Sequence, residues 1–253
     1  MRLLTILTVL FLSACSTTNT PNATVFPYQL GDEPDKLKEI KNVIIGSHNY
    51  GKPSRSYLDD HEAKVDRHIV KYLEANGFTV LDSAIYKESY AEAIREHGNP
   101  YDETTGRIDS NTRQRVLVDM RQKMEDHGGI DAIIFTDLLE RQVMFTSGQK
   151  RVARWDGVSR PPRTQGPGSG VTADFNWAKF VDAVSIAIYV FSIEGKPVFY
   201  SVGGMSLTES VDTKGTAKFA RSKSVLSSDS QIEEGIKLAF HPFIPLENYP
   251  EKP

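Results

Sequence analysis

The chain has 253 residues, of which 39% are hydrophobic and 25% are charged. This composition is typical of an ordinary globular protein, and it excludes a disordered chain and a polytopic membrane protein. The 30 Lys and Arg and the 33 Asp and Glu side chains give a formal net charge of −3. That charge argues against a general binder of nucleic acid or of anionic lipid.

The first fifteen residues have the pattern of an export signal. One cation, Arg2, precedes the apolar run Leu3–Leu12, and small residues then lead to a cysteine. The run is too short to span a bilayer, which requires about 20 apolar residues. Leu12-Ser13-Ala14-Cys15 resembles the lipobox of bacterial lipoproteins, in which the cysteine sulfur receives diacylglycerol and the preceding peptide is removed. An ordinary secretory signal with a chance cysteine is the alternative.

The lipobox resemblance implies an address and a modification. Residues 1–14 would be the signal peptide, and Cys15 would carry diacylglycerol and an acyl group such as palmitate. The next residue, Ser16, is not aspartate, which implies sorting to the outer membrane. We therefore expect a lipid-anchored outer-membrane protein that faces the periplasm. Because Cys15 is the one cysteine in the chain, lipidation would leave none for a disulfide, a zinc site or a nucleophile.

The mature chain is expected to divide into a tether, one domain and a tail. The segment from Ser16 to about Pro34 is rich in Ser, Thr, Asn and Pro, and such a composition buries too little apolar surface to order itself. We predict a flexible tether over residues 15–40, an α/β domain over residues 41–246 and a tail over residues 247–253.

The domain is predicted to begin with a strand, a long helix and a second strand. Asn42–Ser47 is a short apolar run suited to a buried strand. From about Ser56 to Asn76 the apolar residues keep helical spacing, and Asn76-Gly77 favours a left-handed stop. Phe78–Leu81 is the next strand. This order implies a crossover unit whose two strands are parallel.

Two more helices and a long strand are expected next. Tyr86, Tyr90 and Ile94 lie four residues apart in a helix over 84–97, and a further helix runs over 110–126. The segment from Ile130 to Leu139 is dense in β-forming residues and continues toward Phe145. Residues 151–155 would return as its hairpin partner.

Residues 157–176 fit no regular element. An irregular stretch of this length within a compact domain is usually functional or mobile. It carries Arg160 and Arg163 and follows Trp155, and Trp and Arg are enriched at protein interfaces. We predict that Trp155, Arg160 and Arg163 form a partner surface and that replacing both arginines leaves stability unchanged. The alternative is that Trp155 covers the sheet edge.

A strand pair is expected to carry the core. Val184, Ile186, Ile188 and Val190 alternate with smaller or polar residues, and Glu194-Gly195 turns the chain into a strand over 198–207. Residues 208–228 are polar and are predicted to be loop. Ser230 and Glu233 form a capping box for a final helix that ends near His241.

Motifs for catalysis or for ligand binding are incomplete. Gly166–Gly170 lacks the strand, helix and Gly-Lys-Ser/Thr of a phosphate loop. Asp102–Asp109 lacks the glycine and the bidentate glutamate of a calcium loop, since Arg107 and Arg113 hold those places. No G-x-S-x-G nucleophile elbow is present. We therefore predict no catalytic residue, cofactor or metal.

The order of elements resembles a group of bacterial envelope proteins. Gly-Phe-Thr-Val-Leu-Asp at 77–82, Asp-Ala-Ile-Ile-Phe-Thr at 131–136 and the hairpin at 184–200, closed by a final helix, are similar to one family plan. It includes the curli-secretion lipoprotein, the lipoprotein activators of penicillin-binding proteins and the amino-terminal domain of the Tol-Pal translocation protein.

The family resemblance implies a fold and a function. The fold would be a single-domain α/β sandwich, a mixed sheet with helices packed on it. The function would be a non-catalytic binding or assembly module for cell-envelope machinery, with an unidentified envelope protein as partner and with homo-oligomers possible. Two alternatives stay open: a subunit of an envelope secretion or transport assembly, and an enzyme acting on cell wall or lipid.

Overall fold

The computed structural model describes residues 28–32, 34–47, 53–102, 104–147, 150–167, 171–172 and 174–246. The predicted signal peptide, Cys15 and the predicted tail therefore lie outside the described residues. None of the helices in these ranges combines the length and apolar composition needed to cross a bilayer.

Eleven strands and four α-helices are described. The strands are β1 (Gln29–Leu30), β2 (Asn42–Ser47), β3 (Thr79–Leu81), β4 (Ala132–Val143), β5 (Ala153–Trp155), β6 (Val158–Arg160), β7 (Thr164–Gln165), β8 (Val181–Ser192), β9 (Pro197–Leu207), β10 (Glu209–Asp212) and β11 (Lys218–Arg221). The helices are α1 (Asp59–Ala75), α2 (Ser83–His97), α3 (Ser110–His127) and α4 (Asp229–Phe240).

Six strands form one mixed sheet in the order β1-β9-β8-β4-β2-β3. β2 is parallel to β3 and to β4, whereas β4 and β8 are antiparallel to each other, as are β8 and β9. The predicted parallel crossover through α1 is therefore confirmed. The fold class, α/β with helices packed on a mixed sheet, is confirmed as well.

One face of the sheet, here called the closed face, is covered by α1 and α4. The predicted core residues of β8, Val184, Ile186, Ile188 and Val190, are fully buried here. α4 approaches the sheet closely because two glycines meet. A Cβ at Gly203 would overlap the backbone of Gly235, and a Cβ at Gly235 would lie 2.8 Å from the Gly204 carbonyl oxygen.

The opposite face, here called the open face, is covered by separate pieces. α2 and α3 pack over β2 and β4 through Tyr86, Met120 and Met124. Each of these helices begins at a side-chain cap: Asp82 accepts a hydrogen bond from the Ala84 amide, and Asp109 accepts one from the Asn111 amide. Such caps satisfy amides that the first turn of a helix leaves unpaired.

A β5–β6 hairpin covers another part of the open face. Its tight Asp156-Gly157 turn has φ of +36° and +89°, the left-handed conformation that a two-residue hairpin turn requires. Gly204 permits close packing on the sheet, since a Cβ there would lie 2.8 Å from the Trp155 carbonyl oxygen. The segment 151–155, predicted to be the hairpin partner of β4, thus pairs with β6. It meets the chain just beyond the end of β4, through a bridge between Phe145 and Ala153 and a hydrogen bond from the Thr146 amide to the Val152 carbonyl oxygen.

Two segments predicted to be irregular contain strands. Residues 157–176 include β6 and β7, and residues 208–228 include β10 and β11. β10 pairs with both β11 and β7, and Val211 of β10 is fully buried. The prediction of loops was wrong for these strands because they are short, and the partner of β7 lies far away in the sequence.

The two ends of the domain also differ from expectation. Part of the predicted tether is ordered, since β1 pairs with β9 and Ile40 is buried. The predicted capping box is wrong, because α4 begins at Asp229, and its N-cap residue Ser228 makes no side-chain cap hydrogen bond.

Candidate functional site

A groove of about 660 Å³ lies where β4 ends and the chain turns toward β5. We call it the aromatic groove. Its lining consists of residues 141–147 together with Arg151, Arg154, Trp155, Trp177, Ala178 and Phe180. The chain brings these residues together because the end of β4, the β5 strand and the segment before β8 meet at one end of the sheet.

Four aromatic rings give this end of the sheet a rigid base. Phe145 meets Trp177 edge-on at 5.7 Å and stacks on Phe219 at 5.9 Å between ring centroids. Phe175 lies 4.7 Å from Trp177 and 5.1 Å from Phe219. Edge-to-face and offset contacts at these distances stabilise a cluster beyond the area it buries.

Three arginines line the groove, and Arg151 and Arg154 give it positive charge, because the charge of Arg141 is offset by Asp156. Arg151 lies over the Trp177 ring, with its Cζ 4.7 Å from the ring centroid, in a cation–π contact. Arg141 Nε donates to Asp156 Oδ2 at 2.7 Å, and the same oxygen accepts from the Ser185 hydroxyl at 2.7 Å. Arg154 is exposed on β5.

Large apolar side chains are exposed at the rim. Phe180 has 64% of its surface exposed and Met144 has 39%. They belong to the five large apolar side chains that are exposed in the described parts of the chain, the others being Leu30, Ile108 and Val118. Exposed apolar groups beside aromatic and arginine side chains are typical of a protein-binding surface.

The structure separates the three residues predicted to form a partner surface. Trp155 is 7% exposed, forms one wall of the aromatic groove and packs on Gly204. Arg160 is 8% exposed and turns away from the groove: its Nε donates to the Met205 carbonyl oxygen at 2.8 Å, and its Nη2 lies 2.8 Å from Glu234. Arg163 is half-buried beside β10, where its carbonyl oxygen accepts from the Val211 amide.

The three residues therefore do not share one surface, and contact of Trp155 with a partner stays a prediction. Trp155 lines the groove. It also packs on the sheet at Gly204, in line with the alternative interpretation that this tryptophan covers the sheet edge. Arg160 is buried and bound to two elements, so a partner cannot reach it.

Sequence reasoning missed most of the groove. Phe145, Trp177 and Phe219 come from three separate segments, and no local motif connects them. The available signal was the run Phe175-Asn176-Trp177, in which aromatic residues occupy alternate positions of an otherwise polar segment.

A second cluster has ligands that suit a metal ion. Oxygen or nitrogen atoms of Glu96, His97 and Asp119 lie within 4.8 Å of one another. Lys123 Nζ, however, lies 2.9 Å from Glu96 Oε1 and 3.5 Å from Asp119 Oδ1. The hydrogen bond from Lys123 lowers the pKa of Glu96. An ammonium group already provides the positive charge, so this cluster is best described as an ion-pair network between α2 and α3.

Comparison with known proteins gives little further information. No family model matches the chain, and no curated protein matches it. Among solved structures, the chain is similar to a dodecamer of a PelC variant from Paraburkholderia phytofirmans, with a TM-score of 0.33 and 8% identity over 87% of this chain and 96% of that one.

Proposed function

We propose that this protein is a lipid-anchored, periplasm-facing module of the outer membrane that binds an envelope protein and performs no catalysis. The observation that supports binding is the aromatic groove, which combines a base of packed aromatic rings, the arginines Arg151 and Arg154, and two exposed apolar side chains. The resemblance of Leu12-Ser13-Ala14-Cys15 to a lipobox supports the anchor.

The lining of the groove indicates the chemistry of the partner. Arg151 and Arg154 are its available charged groups, since Arg141 is paired with Asp156 behind the lining, and among the described lining residues none is Asp, Glu or His. Complementary charge would therefore be supplied by acidic side chains of the partner. Phe180 and Met144 offer apolar area beside them. The groove thus suits an acidic segment that also carries an apolar anchor.

The proposal is tested by crosslinking in intact cells. A photoreactive phenylalanine analogue at position 180 should form a discrete adduct, and the same analogue at Ile108, which is 46% exposed elsewhere, should not. Arg151→Glu with Arg154→Glu should remove the adduct, because two charges facing acidic groups would be reversed. Phe180→Ser should weaken the purified complex by roughly thirtyfold, the effect of losing an anchor worth about 2 kcal/mol.

Several results would contradict the proposal. Equal adducts at positions 180 and 108, or an adduct that survives charge reversal, would show that the groove is not the contact. The anchor is tested separately: Cys15→Ala should release the protein from the outer-membrane fraction and abolish palmitate incorporation. Wild-type fractionation after a high-salt wash would exclude lipid anchoring.

A further inference from the structure

A second cavity, here called the α3 cleft, lies between α3 and the open face of the sheet. Its volume is about 390 Å³, which falls within the range of about 300 to 1,000 Å³ found for small-molecule sites. Apolar side chains line it on both sides. Leu117 and Met120 of α3 form one side, and Ile133, Phe135 and Phe191 of the sheet form the other, which we call the floor.

Aromatic rings fix the shape of the floor. Phe135 meets Phe191 edge-on at 5.7 Å and Tyr86 of α2 at 5.9 Å, so its ring is held from two sides. Tyr189 continues the floor and lies 4.7 Å from Tyr200 on β9. Burial is the main cause that raises the pKa of Tyr189, so its hydroxyl is neutral at physiological pH. The floor is therefore mainly apolar, and ring contacts hold its shape, as is usual in small-molecule sites.

One end of the cleft is closed by Arg121. This half-buried side chain lies over Gly195 in the turn between β8 and β9, where a Cβ would overlap its guanidinium group. The Ile193 amide donates to the Asp131 carbonyl oxygen at 3.1 Å, which places this turn beside the start of β4. Arg121 thus supplies a positive charge at that end.

The other charged groups of the lining lie toward the opposite end. Asp137 pairs with Ala187, four residues along β8 from Phe191, a distance of about 13 Å at the rise of a strand. Arg113 lies two helical turns before Arg121, about 12 Å along the axis of α3. Arg113 and Asp137 are of opposite sign, so their charges offset each other in the lining as a whole. Arg121 accounts for the net positive charge.

We infer that the α3 cleft binds a small organic anion with an apolar body. The carboxylate, sulfonate or phosphate group of the ligand lies at Arg121, and its apolar body covers Phe135, Phe191 and Leu117. A guanidinium group is suited to this role, since its fork of N–H donors matches planar and tetrahedral oxyanions. This site is separate from the aromatic groove and does not depend on it.

A pair of fluorescent probes tests the inference on the mature chain. 1-Anilinonaphthalene-8-sulfonate has an apolar body with an anionic group, and N-phenyl-1-naphthylamine is its uncharged counterpart. Arg121→Gln should weaken sulfonate binding about tenfold or more, the effect of losing a charge-assisted hydrogen bond. Binding of the uncharged probe should change less than about twofold, because its apolar contacts remain.

Filling the cleft provides an independent measurement. Leu117→Trp should abolish saturable binding of both probes, whereas Val118→Trp, on the adjacent residue that is 49% exposed, should retain it. Phe180→Ser should leave probe binding unchanged, which separates this site from the groove. Unaltered sulfonate binding in Leu117→Trp, or equal loss of both probes in Arg121→Gln, would overturn the inference. If Leu117→Trp fails to fold, the comparison of the two probes in Arg121→Gln decides whether the cleft binds the anion.

Discussion

The two faces of the central sheet differ in how completely they are covered. On the closed face, α1 and α4 bury aliphatic side chains of β8 to zero exposure, and two glycines bring helix and sheet into contact. On the open face, α2, α3 and the β5–β6 hairpin cover separate areas. Both the α3 cleft and the aromatic groove contact β4 residues of that face, such as Phe135 and Arg141.

The buried core and both candidate binding sites therefore lie on different faces of one sheet. Side chains of a strand alternate between faces, so neighbouring residues of β4 or β8 serve different purposes. Ile134 and Leu138 belong to the core with α1 and α4, whereas Ile133 and Phe135 belong to the cluster with α2 and α3. Substitutions at adjacent positions therefore test the assignment directly.

The largest effect is expected for Ile188→Asp. Ile188 is fully buried on the closed face, and an unpaired buried carboxylate costs several kcal/mol, comparable with the roughly 5 to 15 kcal/mol stability of a domain. We expect the variant not to fold, as measured by circular dichroism and thermal melting. Tyr189→Asp, one residue away on the open face and half-buried, should stay folded with a lower melting temperature. Similar melts for the two variants would contradict the difference between the faces.

An intermediate effect is expected for Arg160→Ala. Beyond Tyr200 the outer edge of β9 has no strand partner in the described parts of the chain, and Arg160 reaches across it from β6 to the Met205 carbonyl oxygen and to Glu234 of α4. This side chain therefore links the hairpin on the open face to the helix on the closed face. Its loss should lower the free energy of unfolding by about 1.5 to 3 kcal/mol, the range for hydrogen bonds to charged groups.

Arg163→Ala is the matched control for Arg160→Ala. Arg163 is half-buried and its backbone makes the β7–β10 contact, so the substitution should change stability by no more than about 0.5 kcal/mol. Urea denaturation of both variants measures the difference. The sequence predicted that replacing both arginines would leave stability unchanged. Wild-type free energies of unfolding in both single variants would restore that expectation.

The sequence predicted those parts of the fold whose signals are local. β2, α1, β3 and the β8–β9 hairpin have apolar periodicity or turn residues within one segment, and they were located to within a few residues. β7 and β10 were missed, because Val211 pairs with Thr164 across a long stretch of chain and neither strand has a distinctive pattern.

The candidate sites could not be predicted for the same physical reason. The burial of Arg160 depends on Met205 and Glu234, which lie far from it in the sequence. The aromatic base joins Phe145, Trp177 and Phe219 only after the sheet has formed. Composition indicated that Trp and Arg near residue 155 favour an interface, but the spatial grouping of these residues decides which of them a partner can reach.

The smallest effect is expected at the edge of the closed face, where α1 carries two acidic residues four positions apart. Burial raises the pKa of Asp66, and nearby Lys87 only partly opposes this shift. Burial and the neighbouring carboxylates of Asp59, Asp66 and Asp137 also raise the pKa of Glu62. A raised pKa means that the native state binds protons more tightly than the unfolded chain. The stability that these two carboxyl groups contribute is therefore fully present at pH values below their pKa in the unfolded chain. It is lost as the pH rises through their higher pKa in the folded protein.

Asp66→Asn should consequently stabilise the protein at pH 7 by less than about 1 kcal/mol, because it removes a partly desolvated charge. The advantage should shrink as pH falls toward the ordinary pKa of 3.8, where the wild-type carboxyl is also protonated. Urea denaturation from pH 7 down to the lowest pH at which both proteins fold measures this trend. Asp60→Asn, exposed in the first turn of the same helix, should be neutral or slightly destabilising, because an acidic group there favours the helix dipole. A stability difference for Asp66→Asn that is constant with pH would show that Asp66 acts through packing and not through its charge.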